Sequence, residues 1–259
     1  MELFYRKIGE GKPLIILHGL YGSSDNWLPI GKMLADTFSV YIPDLRNHGK
    51  SPHSEIHNYQ VISEDICNFI EKNKLKNPSI IGHSMGGKAA VFFTKYFPEL
   101  SGKIIVADIS PFPYILSENS IEHYYILSSL KKINLFRCNK YADIENELLI
   151  YFEDERLRNF LLKNVKKEPD GTMKWLINLP VLSNSLPEIF KGLSYSEKIK
   201  TPFLFVKGEL SNYISKQDEM NIPNVFSDYH FEIISNAGHW LHAEEPEKFV
   251  SIVKRFLIS

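Results

Sequence analysis

Residues 79–87 read Ser79-Ile80-Ile81-Gly82-His83-Ser84-Met85-Gly86-Gly87. A short β-branched run ends in a G-x-S-x-G pattern, and the residues that follow continue as a helical pattern, small at its start and apolar later. Strand, tight turn and helix in that order are the setting in which such a serine sits on a strained turn with its hydroxyl raised above a sheet. Gly82, Gly86 and Gly87 agree with this, because the turn presses strand and helix backbones together. A tight turn with an incidental serine is the competing reading.

Outward from the turn, strand and helix patterns alternate. Short apolar runs predict strands over 13–18, 39–43, 79–82, 103–109, 201–207 and 230–235, with an edge strand over 3–7. They are near-continuous apolar runs, as in strands buried on both faces. Helical spacing fills the gaps: at 59–72, where Ile62, Ile66, Phe69 and Ile70 share a stripe, at 85–97, and from Pro246, where Phe249, Ile252, Val253 and Phe256 recur. The fold class is therefore α/β, a mostly parallel central sheet with helices on both faces. The alternation fails over 111–198, which holds helical patterns at 121–130, 141–152 and 156–165 and no convincing buried strand. We read 111–198 as an inserted helical cap in a core formed by 1–110 and 199–259. Its aromatics (Phe112, Tyr114, Tyr124, Tyr125, Phe136, Tyr141, Tyr151, Phe152, Trp175 and Phe190) mostly serve the cap's own core, and some are expected to roof the cleft above Ser84.

The 259 residues carry 30 Lys and Arg against 31 Asp and Glu, a formal net charge of −1, so no basic excess marks a nucleic-acid surface. No apolar run approaches the ~18 residues of a membrane span. Met1-Glu2-Leu3-Phe4-Tyr5 lacks the basic start and apolar centre of a secretory signal. The two cysteines, Cys67 and Cys138, have no CxxC spacing, which argues against a disulfide framework or a zinc knuckle. The sequence reads as a cytoplasmic globular chain and leaves its oligomeric state open.

A serine hydroxyl is a poor nucleophile until a base takes its proton. Of nine histidines, His239 in Asn236-Ala237-Gly238-His239-Trp240 is the candidate base. Its loop follows the last strand, at the carboxyl edge where sites in open α/β sheets gather. His242 is the rival, with a structural or substrate-lining role favoured. His83 lies beside Ser84, where neighbouring side chains diverge. His48, His53 and His57 share a long polar loop and read as surface residues, and His18 as a loop-stabilising residue. The oxyanion needs backbone donors. One is the amide of Met85; the other comes from His18-Gly19-Leu20-Tyr21-Gly22, with Leu20 the first choice and Tyr21 the second.

With these residues in place the chain resembles the α/β-hydrolase superfamily over essentially its whole length. HGLYGSSDNW (18–27), PDLRNHGKSPH (43–53), GHSMGGK (82–88), ADISP (107–111) and NAGHWLHAEEP (236–246) are similar to the YbfF-type bacterial esterases and to abhydrolase-domain-containing protein 11. The resemblance implies a serine hydrolase acting on small to medium acyl esters, acyl-CoA thioesters included, with no metal or cofactor. It also exposes a departure. Many members carry the acid in a G-x-x-D pattern after the penultimate strand, whereas here Gly208-Glu209-Leu210-Ser211 places a serine there. Serine cannot hold an imidazolium electrostatically. Asp108, at the end of the strand after the elbow, is the substitute, with Glu209 and Asp218 as rivals and a plain turn-capping role as the alternative.

Two other functions remain in competition. A non-hydrolytic lyase of the menaquinone-pathway type shares an HGLxGS-like start, but its anionic substrate calls for arginines near the elbow, where this chain has Lys88. A binding protein that has lost turnover would not need an intact serine, histidine and acid.

Overall fold

The computed structural model describes residues 1–259 apart from 115, 116, 194 and 196. Strands β1 (Tyr5–Ile8), β2 (Lys12–Leu17) and β3 (Phe38–Pro43) open the chain, with helix α1 (Ser24–Leu34) between the last two. Helix α2 (Tyr59–Lys72), strand β4 (Ser79–His83), helix α3 (Met85–Tyr96) and strand β5 (Ile104–Ala107) follow. The next stretch carries helices α4 (Glu118–Leu130), α5 (Tyr141–Leu149) and α6 (Glu155–Leu162), strands β6 (Val165–Lys167) and β7 (Met173–Trp175), and helices α7 (Leu179–Asn184) and α8 (Leu186–Ile189). Strand β8 (Phe203–Gly208), helix α9 (Lys216–Val225), strand β9 (Tyr229–Ile234) and helices α10 (Leu241–Glu244) and α11 (Pro246–Ile258) complete it.

Among the described residues seven strands form one sheet in the order β1-β3-β2-β4-β5-β8-β9. β1 runs antiparallel to β3, and every other pairing is parallel. Successive side chains of a strand face opposite sides, and the core divides accordingly. Ile15, Leu17, Ile80 and Val106 pack with α2 and α3 through Phe69 and Phe93. Leu14, Ile16, Ile81 and Ile105 pack on the other face with Trp27 of α1 and Phe249 and Val253 of α11. All of these side chains are buried, and each contributes about 1.5–3 kcal/mol when fully removed from water. The α/β class and the two-faced sheet are as the sequence predicts. No helix among the described residues is long and apolar enough to cross a membrane.

Several element ends shift by one to three residues, and two differences have a local reason. The strand predicted over 103–109 ends at Ala107, because Asp108 turns the chain with φ +50°. The helix predicted over 156–165 stops at Leu162, and Val165–Lys167 pairs antiparallel with Met173–Trp175 instead. That hairpin buries only Val165 and Met173 while its lysines face water, so it leaves no apolar run to read.

β5 and β8 pair directly, Ile104 opposite Phe203, so the chain between them is an excursion from two adjacent strands. Its two stems return to α3 through Lys88, 1% exposed. Lys88 Nζ donates to the Phe112 carbonyl at 2.7 Å on the outgoing stem and to the Lys191 carbonyl at 2.8 Å on the returning one. It also lies 4.4 Å from the centre of the Tyr114 ring. Burial pulls this ammonium well below the ordinary lysine range. Replacing Lys88 with Met keeps the apolar stem but strands the buried carbonyls. We expect a loss of about 2 kcal/mol or more in denaturant unfolding; unchanged stability would show that the excursion does not depend on this anchor.

Candidate active site

Ser84 forms the corner between β4 and α3, with φ +52° and ψ −122°, a left-handed backbone that costs a side-chain-bearing residue about 1–3 kcal/mol. The neighbouring glycines make that corner sterically attainable. A Cβ on Gly82 would strike the Gly86 carbonyl, one on Gly86 the Leu17 and His18 carbonyls, and one on Gly87 would lie 2.6 Å from Ile109. The amide of Ser84 donates to the Ala107 carbonyl at 3.0 Å, which ties the corner to the end of β5. The loop after β2 crosses beside it: a Cβ on Gly19 would lie 3.1 Å from Ser84 Cβ.

His239 projects from the loop between β9 and α10. Its Nδ1 lies 2.8 Å from Asp108 Oδ2, and Asp108 is fully buried. A carboxylate can only accept, so Nδ1 carries the proton and Nε2 is left as the basic nitrogen. Asp108 Oδ1 accepts from the Gly208 amide at 2.9 Å, and Oδ2 also accepts a short bond from Ser211 Oγ. Ser84 and His239 line one cleft, though no hydrogen bond joins their side chains among the described residues. The rival acids are engaged elsewhere. Glu209 accepts from the Asn236 amide at 2.9 Å, and Asp218 caps α9 through Ser215.

The other histidines separate by environment. His18 Nε2 accepts from the Leu45 amide at 2.9 Å and Nδ1 donates to the Gly19 carbonyl at 2.8 Å, a loop-stabilising arrangement. His83 does not diverge from the site: its Nε2 donates to the His239 carbonyl at 2.8 Å. His242 stacks on Trp27, with ring centres 4.0 Å apart, and its edge lines the cleft. The surface placement of His48 and His57 is overturned. Both are buried, because Asn47 and Gly49 take positive φ and fold their loop inward onto Asp44, which accepts the amides of Ser24 and Lys50. His53 alone of that group stays exposed.

The cleft encloses about 990 Å³. Leu20, Tyr21, Trp27, Phe160 and Trp240 give it apolar walls, while Asn26, Asp154, Arg156 and Lys163 are polar groups in the same lining. The expectation that some of the ten excursion aromatics roof it is not met, since none of them lines it. The excursion reaches the cleft through α4, with Glu122, His123 and Ile126, and α6, with Leu157 and Phe160. Several serve the excursion's own packing as expected, with Phe152 and Phe190 buried and the Tyr114 and Tyr124 rings against Phe190, while Phe136 is exposed. Sequence reasoning also missed Tyr213, whose ring stacks on His239 with centres 3.8 Å apart and planes 16° apart. A lone tyrosine in a polar loop carries no sequence signal for that role.

A parallel sheet whose central strand turns through a glycine-flanked serine into a helix defines the α/β-hydrolase class. A family model described as alpha/beta hydrolase fold matches residues 12–246, and the chain belongs to that family, in its YbfF/ABHD11-like branch. It is 33% identical over 255 residues to the sn-1-specific diacylglycerol lipase ABHD11 of Xenopus laevis, covering 96% of this chain and 80% of that protein. It is 30% identical over 251 residues to esterase YbfF of Escherichia coli strain K12, covering 96% and 94% respectively. Among solved structures, a marine microorganism esterase superposes with a TM-score of 0.96 at 44% identity, over 98% of this chain and 99% of that one.

Burial holds six histidines below their ordinary range. His57, His83 and His123 are pulled to about 3, His48 and His242 well down, and His18 in the same direction. The unfolded chain therefore binds protons first as pH falls below about 6.5, while the folded chain resists until far lower pH. Stability is full above that value and drains as pH drops from there toward 3. Calorimetry should show Tm falling steeply between about pH 6.5 and 5, before most carboxylates titrate; a Tm flat to pH 5 would contradict this.

Proposed function

We propose that the protein is a serine hydrolase that cleaves small to medium acyl esters or thioesters through an acyl-enzyme on Ser84. The observation that carries this reading is the Asp108–His239 pair, which leaves Nε2 as the free basic nitrogen in the cleft that Ser84 also lines. In the first step Nε2 takes the Ser84 proton as Oγ attacks the acyl carbon, then returns it to the departing alcohol or thiol. Asp108 holds the tautomer and stabilises the imidazolium. The amides of Leu20 and Met85, one in the loop after β2 and one at the first turn of α3, receive the oxyanion. Water, deprotonated by the same nitrogen, then releases the acid.

The stretch 111–198 acts as the cap, with α4 and α6 bounding the acyl site. The names of the curated relatives, an esterase and a diacylglycerol lipase, support ester bonds as the target. Lys88, the cation nearest the elbow in sequence, spends its Nζ on carbonyls and offers no charge to the anionic substrate of a lyase.

Turnover of p-nitrophenyl acetate and butyrate tests the reading. Ser84→Ala should abolish it. Asp108→Asn preserves shape but permits the wrong tautomer, so kcat should fall by ~10⁴ with KM little changed. More than about a tenth of wild-type kcat left in Asp108→Asn, where a lost acid costs ~10⁴, would sink the assignment. Across a series of acyl lengths, kcat/KM should gain up to ~1 kcal/mol per methylene and then stop at the cleft wall. A steady rise into long chains would defeat the size limit.

A further inference from the structure

The stretch 131–140 reads Lys131-Lys132-Ile133-Asn134-Leu135-Phe136-Arg137-Cys138-Asn139-Lys140, with four cations and no acid. A single 3₁₀ turn, Leu135–Arg137, forms at its centre. Leu135 and Cys138 are buried and hold the turn from within, and the Asn134 side chain accepts from the Phe136 amide at 3.1 Å. Phe136 itself is 91% exposed. Phenylalanine is ordinarily among the buried residue types, and here a pinned turn presents its ring to solvent.

The turn packs beside β7, and Lys167 of β6 donates to the Asn139 carbonyl at 2.9 Å. Residues 163–175, which carry the β6–β7 hairpin, add four lysines against Glu168 and Asp170. All eight cations are exposed. An excess of six positive charges thus gathers on one part of a chain whose formal net charge is −1. Of the eight, only Lys166 has a carboxylate within ion-pair distance among the described residues, Glu168 at 3.1 Å. Asp170 accepts from Thr172, and Asp143, the next acid along the chain, accepts from the amides of Asn139 and Lys140. Lys166 and Lys174 stand directly opposite each other in the hairpin, a like-charge pairing that costs stability until an anion lies over it.

We propose that the turn at Phe136 and the β6–β7 hairpin form a docking surface for an anionic lipid bilayer, with the Phe136 ring inserting among the headgroups and the exposed cations meeting lipid phosphates. Clustered basic side chains are drawn to the negative surface of such a bilayer, and an aromatic ring gains by leaving water at its interface. A single aromatic standing out from a turn suits insertion, whereas proteins that hold single-stranded nucleic acid stack successive bases on several aromatics along a groove. The surface is continuous with the cleft wall. Leu157, Phe160 and Lys163 line the cleft, α6 runs into β6 through Asn164, and the Asn164 side chain donates to the Tyr21 carbonyl at 2.8 Å. Docking goes beyond the reading of Ser84; only its use, bringing ester-bearing lipids to the cleft, rests on that reading.

The test is partition of the purified protein onto sedimenting vesicles of phosphatidylcholine alone and of phosphatidylcholine with about one third phosphatidylglycerol, an anionic lipid. The wild type should partition about tenfold or more in favour of the anionic vesicles, and about 0.5 M salt should remove the difference. Each basic residue near such a surface contributes about a fivefold change, so Arg137→Gln with Lys140→Gln should lower partition about twenty-fold. Lys131→Gln with Lys132→Gln serves where the first pair does not fold. Phe136→Ser should lower partition about tenfold, and Phe136→Trp should keep it. Turnover of p-nitrophenyl acetate should stay at the wild-type level in all of these variants. Ser84→Ala should partition as the wild type does, so failure of docking and failure of the hydrolase reading are seen separately. Equal partition onto the two kinds of vesicle, partition unmoved by Phe136→Ser or by the paired glutamine changes, or a preference for a single-stranded oligonucleotide over anionic vesicles overturns the proposal.

Discussion

The buried carboxylate of Asp108 joins three strand ends. It stands at the end of β5, accepts the amide of Gly208 from the end of β8, and receives the imidazole of His239 from the loop after β9. Its own amide donates to the Val206 carbonyl at 2.8 Å, and its φ of +50° turns the side chain back across the sheet edge. A fully buried carboxylate is tolerable only when its oxygens are occupied, and here both are. Strand order, loop closure and the candidate site therefore depend on one another through this residue.

Ser84 supplies the second constraint. Its left-handed backbone persists because the surrounding contacts over-determine it: Gly82, Gly86 and Gly87 allow β2, β4 and α3 to approach within distances no Cβ would permit. Asp108 and Ser84 occupy ends of adjacent strands, β5 and β4, linked by the Ser84 amide to the Ala107 carbonyl. Strain at the corner and burial of the acid are both supported by the same parallel pairings, which bury apolar side chains on two faces.

Much of this was legible in the residues. The strands are continuous β-branched runs, and the elbow has a spacing that only a close backbone approach explains. The position of His239 after the last strand, and of Asp108 after β5, follows from chain order. Less legible were features held by single contacts. The inward fold of the loop bearing His48 and His57 depends on positive φ at Asn47 and Gly49 and on the Asp44 hydrogen bonds, none of which has a periodic signature. Helix α1 contains Pro29, which breaks the pattern a helix normally shows. The aromatics of the excursion are as numerous as a ligand roof requires, yet some pack on one another, others face solvent, and the cleft takes Phe160 and Leu157 from α6. Composition shows that such side chains exist, and only the folded path decides which face they share.

The central claim is that Ser84 is a nucleophile activated by His239. The most direct measurement is the rate and site of labelling by a fluorophosphonate, which reacts only with an activated serine and leaves a mass tag on it. The account predicts a single adduct on the peptide containing Ser84, with labelling slowed by orders of magnitude in His239→Ala, as loss of an activating base requires. An adduct on any other residue, or a labelling rate unchanged by loss of His239, would contradict it.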